Sequence, residues 1–223
     1  MRILFLSMEQ VRYYRKENDK KILDPRNVEV AMAESIANLG NEVTLVIEKN
    51  PYVNDKKPDN INVIQMSLND KINFTNMEIL LSNKYDIVFC TSVAGAYIAN
   101  SIAKKQNIPS VVQVLDVPVF RLKEIFVLMG FTEWKDNWTE YFKNLIKSSC
   151  IIANTTPTVN YLKNKFGKKI EDKLKLVYYA TDTNYIDKIS KSTKFNYDIS
   201  FVSRLTFYKG CNFFLYALYR GDR

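Results

Sequence analysis

Histidine is absent from the 223-residue chain, so acid–base catalysis by an imidazole is excluded and the usual zinc sites built from His and Cys are not expected. Only three cysteines occur, Cys90, Cys150 and Cys211, and none of them forms a C-x-x-C motif. Two of the three lie in apolar runs, which is typical of reduced, buried thiols in a cytosolic protein. The sequence therefore predicts no metal site.

Long apolar runs are missing as well. No run approaches the roughly 20 apolar residues that a membrane-spanning helix needs. The apolar start of the chain, residues 1–6, is too short for a signal peptide and predicts a first strand instead. We therefore expect a cytoplasmic protein.

Positive charge is in excess: the chain has 32 Lys and Arg against 24 Asp and Glu, a net charge of +8. Such a balance favours anionic partners, which include phosphates, nucleic acid and acidic lipid. The alternative is a diffuse excess of lysine on a solvated surface. The apolar fraction of 47% and the charged fraction of 25% are ordinary for a soluble globular protein.

Strand-like and helix-like segments alternate along most of the chain. Apolar runs predict strands at residues 3–7, 42–47, 61–66, 85–90, 110–115, 150–154 and 174–179. Between them, helices are predicted from Asp24-Pro25 to Gly40, over residues 74–81, around Ala94 to Ile102, and from Thr156-Pro157 to Gly167. This order predicts an α/β fold, a doubly wound and mostly parallel Rossmann-like sheet.

Two segments depart from this alternation. The first predicted helix has an apolar stripe, which we expect to be buried: Val28, Met32, Ser35, Ile36 and Leu39. Before it, residues 8–24 are polar and basic, and predict an irregular, mobile segment. Residues 117–149 combine many aromatic side chains with lysines. They predict either two helices that close the domain or a rim that meets an acceptor or an anionic membrane surface.

Ligands of doubly wound sheets bind beyond the carboxyl ends of the strands. The candidate site residues are therefore those that directly follow a predicted strand. They are Ser7, Met8, Thr91, Ser92, Asp116, Asn154 and Thr155.

A basic loop near the end of the chain predicts a phosphate site. An apolar strand at residues 198–203 is followed by Arg204, then by Lys209 and Gly210 at the start of a helix. That helix has Cys211, Phe214, Leu215 and Leu218 on one face. The free backbone N–H groups of a helix start attract anions, and a guanidinium suits phosphate oxygens. The alternative is an ordinary solvated loop.

Residues 201–205, Phe-Val-Ser-Arg-Leu, followed by Lys209-Gly210, resemble the start of the donor-binding domain in retaining glycosyltransferases of the GT-B fold, the large GT4-type family. In that family the corresponding Arg and Lys bind the diphosphate of a nucleotide sugar, and Arg204 and Lys209 match those positions. Segments 85–88, 111–116, 151–155 and 176–183 also follow the order of the family's acceptor-side half.

The chain departs from the family pattern at three places. Ser203 replaces a usual glycine, and residues 7–10 replace a usual glycine-rich turn. A histidine common at the end of the fifth strand is replaced by Leu115, which Asp116 follows. The resemblance leaves Asp116 as the catalytic candidate that orients a hydroxyl; the alternative is that it caps the next segment.

The resemblance implies a hexosyltransferase that moves a sugar from a nucleotide-diphosphate sugar to the hydroxyl of a saccharide or lipid-linked acceptor, with retention and without metal or further cofactor. Ser7, Met8, Ser92 and Thr155 are the acceptor-side candidates. The implied domains are an acceptor-side Rossmann-like domain (1–184), a linker (185–197) and the start of a donor-binding domain (198–223). The family's paired glutamates are missing, so this chain alone is expected to be an inactive fragment.

Two other functions stay open. A non-catalytic Rossmann-like module could bind an anionic ligand or a protein partner, and the missing histidine and glycine-rich turn favour it. Specific nucleic-acid binding is not expected, because the basic residues 12–21 match no recognition motif. Contact with an anionic membrane would place the protein at the inner membrane surface.

Overall fold

The structure is a computed structural model that describes residues 1–7, 14–17, 20–23, 28–48, 60–66, 74–115, 134–179 and 214–217. The strands in these ranges are β1 (Arg2–Leu6), β2 (Tyr14–Glu17), β3 (Lys20–Leu23), β4 (Glu42–Glu48), β5 (Ile61–Met66), β6 (Ile87–Cys90), β7 (Ser110–Val114), β8 (Cys150–Ala153) and β9 (Leu174–Leu176). The helices are α1 (Val28–Asn38), α2 (Phe74–Leu81), α3 (Ala96–Gln106), α4 (Trp134–Leu145) and α5 (Thr156–Phe166).

Seven of the strands form one sheet in the order β5-β4-β1-β6-β7-β8-β9, and all neighbouring strands in it are parallel. The chain enters at β1, proceeds outward through β4 to β5, and then crosses to β6 on the other side of β1. The strand order therefore reverses between β1 and β6. This topology confirms the predicted α/β fold with a doubly wound, mostly parallel Rossmann-like sheet.

The first strand shows why continuous apolar runs become strands here. Leu4 and Leu6 belong to one buried cluster, and Ile3 and Phe5 to the cluster on the opposite face. Successive side chains of a strand point to opposite faces, so a strand covered on both sides must be apolar at every position. Each such side chain stabilises the fold by about 2 kcal/mol when it is buried.

The predicted buried stripe of α1 is correct at Met32 and Ile36, which are partly buried against the cluster of Ile3 and Phe5, and wrong at its two ends. Val28 and Leu39 are 56% and 82% exposed, whereas Glu29, Val30 and Ala33 are buried. Val28 and Leu39 lie at the two ends of this segment, outside the part that packs against the cluster. The predicted end is confirmed: Gly40 has φ +83°, and its N–H donates to the carbonyl of Ala37 at 2.9 Å.

The polar segment before α1 also differs from the prediction. β2 and β3 pair as an antiparallel hairpin, with Tyr14 opposite Leu23 and Glu17 opposite Lys20. The sequence signal is Asn18-Asp19, two residue types that favour a tight turn, which lie outside the described residues. The hairpin forms a sheet of its own, so the main sheet stays wholly parallel.

The chain divides into two compact units, Met1–Pro118 with Phe131–Tyr179, and Val119–Gly130 with Ala180–Arg223. All nine strands of the described residues belong to the first unit. Of the second unit the structure describes one helical turn, residues 214–217, within the helix predicted after Gly210. The predicted linker and donor-domain boundaries stay predictions. Within the described ranges, no helix combines the length and the apolar character that crossing a bilayer requires.

Candidate functional site

The carboxyl ends of β1 and β6 meet where the strand order reverses. Ser7 follows β1, and its N–H donates to the carbonyl of Val46 in β4 at 2.9 Å. Thr91 follows β6, and its N–H donates to the carbonyl of Leu6 in β1 at 3.2 Å. The two hydroxyl residues therefore lie side by side at the point where doubly wound sheets bind their ligands.

A buried carboxylate joins these two residues. The Ser7 hydroxyl donates to Glu29 Oε2, and the Thr91 hydroxyl donates to Glu29 Oε1. Ser7 and Thr91 are almost fully buried, and Glu29, in the first turn of α1, is 8% exposed. Three segments that are far apart in sequence thus meet in one hydrogen-bonded cluster, which we call the switch-point cluster: Ser7, Glu29 and Thr91.

Sequence reasoning found Ser7 and Thr91 but missed Glu29. Glutamate is common in the first turn of a helix, where it faces the positive end of the helix dipole, so its presence there has no special meaning. The available signal was the stripe of Glu29, Ala33 and Ile36 on one face of α1, which places a carboxylate among buried side chains. That signal was hidden by the more apolar stripe that begins at Val28.

The buried carboxylate needs strong compensation. A buried charge is costly unless hydrogen bonds and favourable dipoles replace the lost water. Hydrogen bonds to charged groups contribute about 1.5–3 kcal/mol each, and Glu29 accepts two of them from hydroxyls. The start of α1 adds a positive helix end. The cluster is therefore stable only as a unit.

Next to the cluster, Cys90 and Ser92 serve the local fold. Ser92 caps the short 3-10 turn Val93–Gly95, and its Oγ accepts from the N–H of Ala94 at 3.3 Å. The Cys90 thiol donates to the Ser92 carbonyl at 3.3 Å. Complete burial raises the pKa of Cys90 to about 12, and the charge of nearby Glu29 acts in the same direction. The thiol is therefore protonated and unreactive at neutral pH.

A second polar pair lies at the ends of β7 and β8. Asn154 Nδ2 donates to the Val177 carbonyl at 3.1 Å, and Gln113 Nε2 donates to Asn154 Oδ1 at 3.2 Å. The Val177 carbonyl can only accept, so Asn154 must direct its Nδ2 towards it, and Asn154 Oδ1 is then left to accept from Gln113 Nε2. The two bonds therefore fix the orientation of both side-chain amides. The Gln113 Oε1 atom is buried and has no hydrogen-bond partner among the residues that the structure describes.

Thr155 begins α5. Its Oγ1 accepts from the N–H of Thr158 at 3.2 Å, and the two hydroxyl oxygens are 2.9 Å apart. The cap of this helix is therefore Thr155, one residue before the predicted Thr156. Thr155 has the extended backbone of a capping residue, whereas Thr156 is already helical.

Several predicted site residues lie outside the described residues, and their roles stay predictions. They are Met8, Asp116, Arg204 and Lys209. In the described part of the chain, no three His, Cys, Asp or Glu side chains converge in a way that could bind a metal ion.

The described residues at the carboxyl edge share one chemical character. The positions that follow β1, β6 and β8 supply hydroxyls and an amide, and α1 adds one carboxylate; none of these residues is basic. Hydroxyls and amides can both donate and accept hydrogen bonds. The described part of this edge therefore offers both donors and acceptors of hydrogen bonds.

The chain matches no protein-family model and no curated protein, but solved structures share its fold. HepE of Anabaena, solved in complex with UDP, is 14% identical with a TM-score of 0.52, over 82% of this chain and 45% of that one. Sucrose-phosphate synthase of Thermosynechococcus elongatus is 10% identical with a TM-score of 0.57, over 82% and 49%. Os79 of O. sativa, in complex with UDP, is 12% identical with a TM-score of 0.51, over 86% and 55%.

These similar structures are glycosyltransferases of the GT-B fold. The chain spans about half of the length of each. At such low identity the likeness concerns the fold alone. The parallel sheet with its reversal between β1 and β6 is thus a Rossmann-like unit of the GT-B type.

Proposed function

We propose that the chain is the acceptor-side part of a glycosyltransferase that moves a sugar from a nucleotide-diphosphate sugar to an acceptor hydroxyl. The supporting observation is its GT-B type sheet, shared over 82% and 86% of the chain with HepE and Os79, both solved with UDP. The hydroxyl-rich carboxyl edge agrees with a neutral acceptor. The GT4 type, the retention of configuration and a transferred hexose are part of the proposal and depend on the motif at residues 201–210.

In this proposal Arg204 and Lys209 bind the diphosphate. Two fixed positive charges would stabilise the negative charge that develops on the leaving group when the sugar departs. No further cofactor or metal ion takes part. The donor is therefore the substrate that brings both the sugar and the leaving group.

The acceptor is proposed to bind at the carboxyl edge. Asp116 follows β7 and would orient the reacting hydroxyl by accepting its proton in a hydrogen bond. Ser92 Oγ accepts from a backbone N–H and keeps its own proton to donate. Ser7, Met8 and Thr155 complete the proposed acceptor side.

A transfer assay with the polypeptide at its natural full length tests this function. Labelled nucleotide sugars are screened with saccharide and lipid-linked acceptors. Lys209→Ala should lower the transfer rate about 100-fold, because a preorganised charge next to the leaving group is lost. Lys104→Ala, an exposed lysine in the last turn of α3, is the matched control and should leave the rate unchanged. Wild-type donor affinity and rate in Lys209→Ala would contradict the assignment.

A non-catalytic binding module is the second candidate. Leu115 stands where the family usually has a histidine, and this difference favours a module. A full-length protein that binds UDP but transfers no sugar from any donor would support the module.

The location is proposed to be cytoplasmic, with contact to the inner membrane surface. Residues 139–175 contain eight lysines, no arginine and three carboxylates, an excess of five out of the chain's net charge of +8. Lys165 lies 4.6 Å from the centre of the Phe142 ring, and Lys173 donates to the carbonyl of Ile146, so a lysine of α5 contacts α4 and a lysine before β9 contacts the residue that follows α4. A fluid anionic surface suits such dispersed point charges.

A further inference from the structure

Gln113 in β7 has a buried side-chain oxygen without a hydrogen-bond partner in the part of the chain that the structure describes. We propose that this oxygen, Oε1, is a binding position for a hydroxyl of the acceptor, which donates its proton to it. The inference rests on the proposed function, because that function makes the ligand at this edge an acceptor with hydroxyls.

The strand around Gln113 is otherwise largely apolar. β7 has the sequence Ser-Val-Val-Gln-Val, and Val112 and Val114 are fully buried in the cluster on one face of the sheet. Gln113 lies between them, so its side chain points to the opposite face, and it is 4% exposed. Strands of parallel sheets are normally apolar at such positions. An amide here therefore needs a reason other than packing.

The hydrogen bonds around Gln113 fix the position of Oε1. Gln113 Nε2 donates to Asn154 Oδ1 at 3.2 Å, and Asn154 Nδ2 donates to the Val177 carbonyl at 3.1 Å. If the Gln113 amide turned over, its oxygen would face another oxygen and the bond to Asn154 would be lost. Oε1 is therefore held in place unpaired, and an unpaired buried acceptor destabilises a fold. Departures of this kind are expected at functional sites.

Two other buried side-chain atoms in the described ranges lack a partner, the hydroxyls of Tyr85 and Ser148, and they differ from Oε1 in two ways. Tyr85 precedes β6 and Ser148 precedes β8, so both lie at the amino edge, away from the edge where ligands bind. A hydroxyl proton also rotates towards a neighbouring acceptor, and Tyr85 has Thr44 and Asn83 beside it. The fixed amide oxygen of Gln113 has no such freedom.

The chemistry of Oε1 selects the ligand group. A carbonyl oxygen accepts hydrogen bonds and cannot donate, so the ligand must bring a proton: a sugar hydroxyl can, whereas an ionised diphosphate ester offers acceptors alone. Gln113 lies one residue before the end of β7, at the ligand-binding edge of a doubly wound sheet. Because Oε1 is shielded from solvent in the free chain, the side chains around it must move when a ligand enters. An analogue without the hydroxyl would leave the oxygen unpaired, so this position discriminates strongly.

The unpaired state of Oε1 is tested on this chain without any ligand. Gln113→Met keeps the length of the side chain and removes the oxygen, and its urea midpoint should equal or exceed that of the wild type because the unpaired acceptor disappears. Asn154→Leu is the matched control: it leaves the Val177 carbonyl without its donor, and its midpoint should fall. A midpoint that falls as far in Gln113→Met as in Asn154→Leu would show that Oε1 is paired in the free chain, and would overturn the inference.

Binding is tested by titrating the same chain with glucose, galactose, mannose, N-acetylglucosamine and, separately, inorganic phosphate, while NMR follows the side-chain amide signals of Gln113 and Asn154. We expect saturable shifts with at least one sugar at millimolar concentrations and none with phosphate. In Gln113→Met, followed through Asn154, the affinity for that sugar should fall at least about tenfold. Shifts with phosphate alone, no shift with any of the sugars, or an unchanged affinity in folded Gln113→Met would each overturn the inference.

These outcomes are separable from those of the transfer assay. No nucleotide sugar is used, so a loss of transfer in Lys209→Ala does not affect the titration. If Gln113→Met does not fold, the wild-type titration still decides. A chain that binds a sugar at Gln113, but whose full-length form transfers none, would keep the hydroxyl site and contradict the proposed transferase.

Discussion

The two edges of the parallel sheet carry their polar side chains in different ways. At the carboxyl edge, Ser7 and Thr91 are buried and bonded to Glu29, which is 22 and 62 residues away from them. At the amino edge, charged groups are exposed. Arg2 and Asp86 form an ion pair of 3.3 Å in which both side chains are more than 40% exposed.

This difference shows that the carboxyl edge contains a feature that the fold by itself does not require, namely the buried carboxylate of Glu29. In a βα unit every helix ends at the amino edge, and lysines at helix ends face the negative end of the dipole, as Lys104 and Lys163 do. Exposed charges at that edge therefore follow from the fold. A buried carboxylate at the carboxyl edge does not, because its desolvation is costly. We expect changes at the two edges to differ greatly in their effects.

The largest expected effect is that of Glu29→Ala. The variant leaves the buried hydroxyls of Ser7 and Thr91 without their acceptor and opens a cavity, which should lower the free energy of unfolding by about 3 kcal/mol. Urea denaturation measures it. Glu34→Ala, in the same helix and only partly buried, should change stability by less than about 0.5 kcal/mol. Equal losses in the two variants would remove the distinction between a buried and an ordinary glutamate.

A second effect is the loss of stability at high pH that Cys90 causes. Burial raises the pKa of this thiol to about 12 in the folded chain, above its ordinary value of 9.0. The unfolded chain therefore releases the proton first, and stability is complete below pH 9 and falls as the pH rises toward 12. At pH 10 the loss should be about 1.4 kcal/mol.

Urea unfolding of the wild type and of Cys90→Ala at pH 7 and pH 10 measures this term. Cys90→Ala should be less stable than the wild type at both pH values. Its stability should, however, fall less than that of the wild type between pH 7 and pH 10. A wild type and a variant with the same pH dependence would show that the thiol ionises as easily in the folded chain as in the unfolded one.

A smaller effect is expected at the amino edge, where α3 ends. Asn107 has φ 54° and ψ 47°, the left-handed conformation that asparagine and glycine adopt most readily. Asn107→Ala should cost about 1 kcal/mol, and Asn107→Gly should cost nothing or stabilise slightly. Thermal denaturation of both variants measures the difference, and a loss of equal size in both would show that side-chain contacts, not the backbone, matter here.

The smallest effect on folding is expected for Lys168→Gln with Lys169→Gln, since both side chains are exposed. Their proposed role is in membrane contact. Binding to phosphatidylserine vesicles should fall about 30-fold at low salt, because each of the two lysines near an anionic surface contributes about 1 kcal/mol. Lys104→Gln with Lys105→Gln has the same change of charge outside residues 139–175, and equal losses in both pairs would contradict a specific lysine face.

How far the sequence predicts the molecule depends on the range of the interactions. The strand at residues 61–66 and the helix at 74–81 have the predicted bounds. Such bounds are predictable because the hydrophobic period of a segment and the polar residues that flank it are both visible in the local sequence. The predicted buried face of α1 was correct at Met32 and Ile36, which pack against the core, but wrong at Val28 and Leu39, which lie at the helix ends and are exposed.

The switch-point cluster was predicted only in part. Ser7 and Thr91 follow from the rule that ligands bind past strand ends. Glu29 does not, because its partners are 22 and 62 residues away and only the folded sheet brings them together. The one-residue error at the start of α5 has a local cause: Thr155 and Thr156 are both suitable caps, and the backbone decides between them.

The most direct test of the acceptor-side assignment is hydrogen–deuterium exchange of the full-length polypeptide with and without UDP. The assignment predicts slower exchange at residues 204–210 in the presence of UDP and unchanged exchange at residues 7 and 91. Slower exchange at residues 7 and 91, with none at 204–210, would contradict it and would place the nucleotide at the carboxyl edge of this sheet.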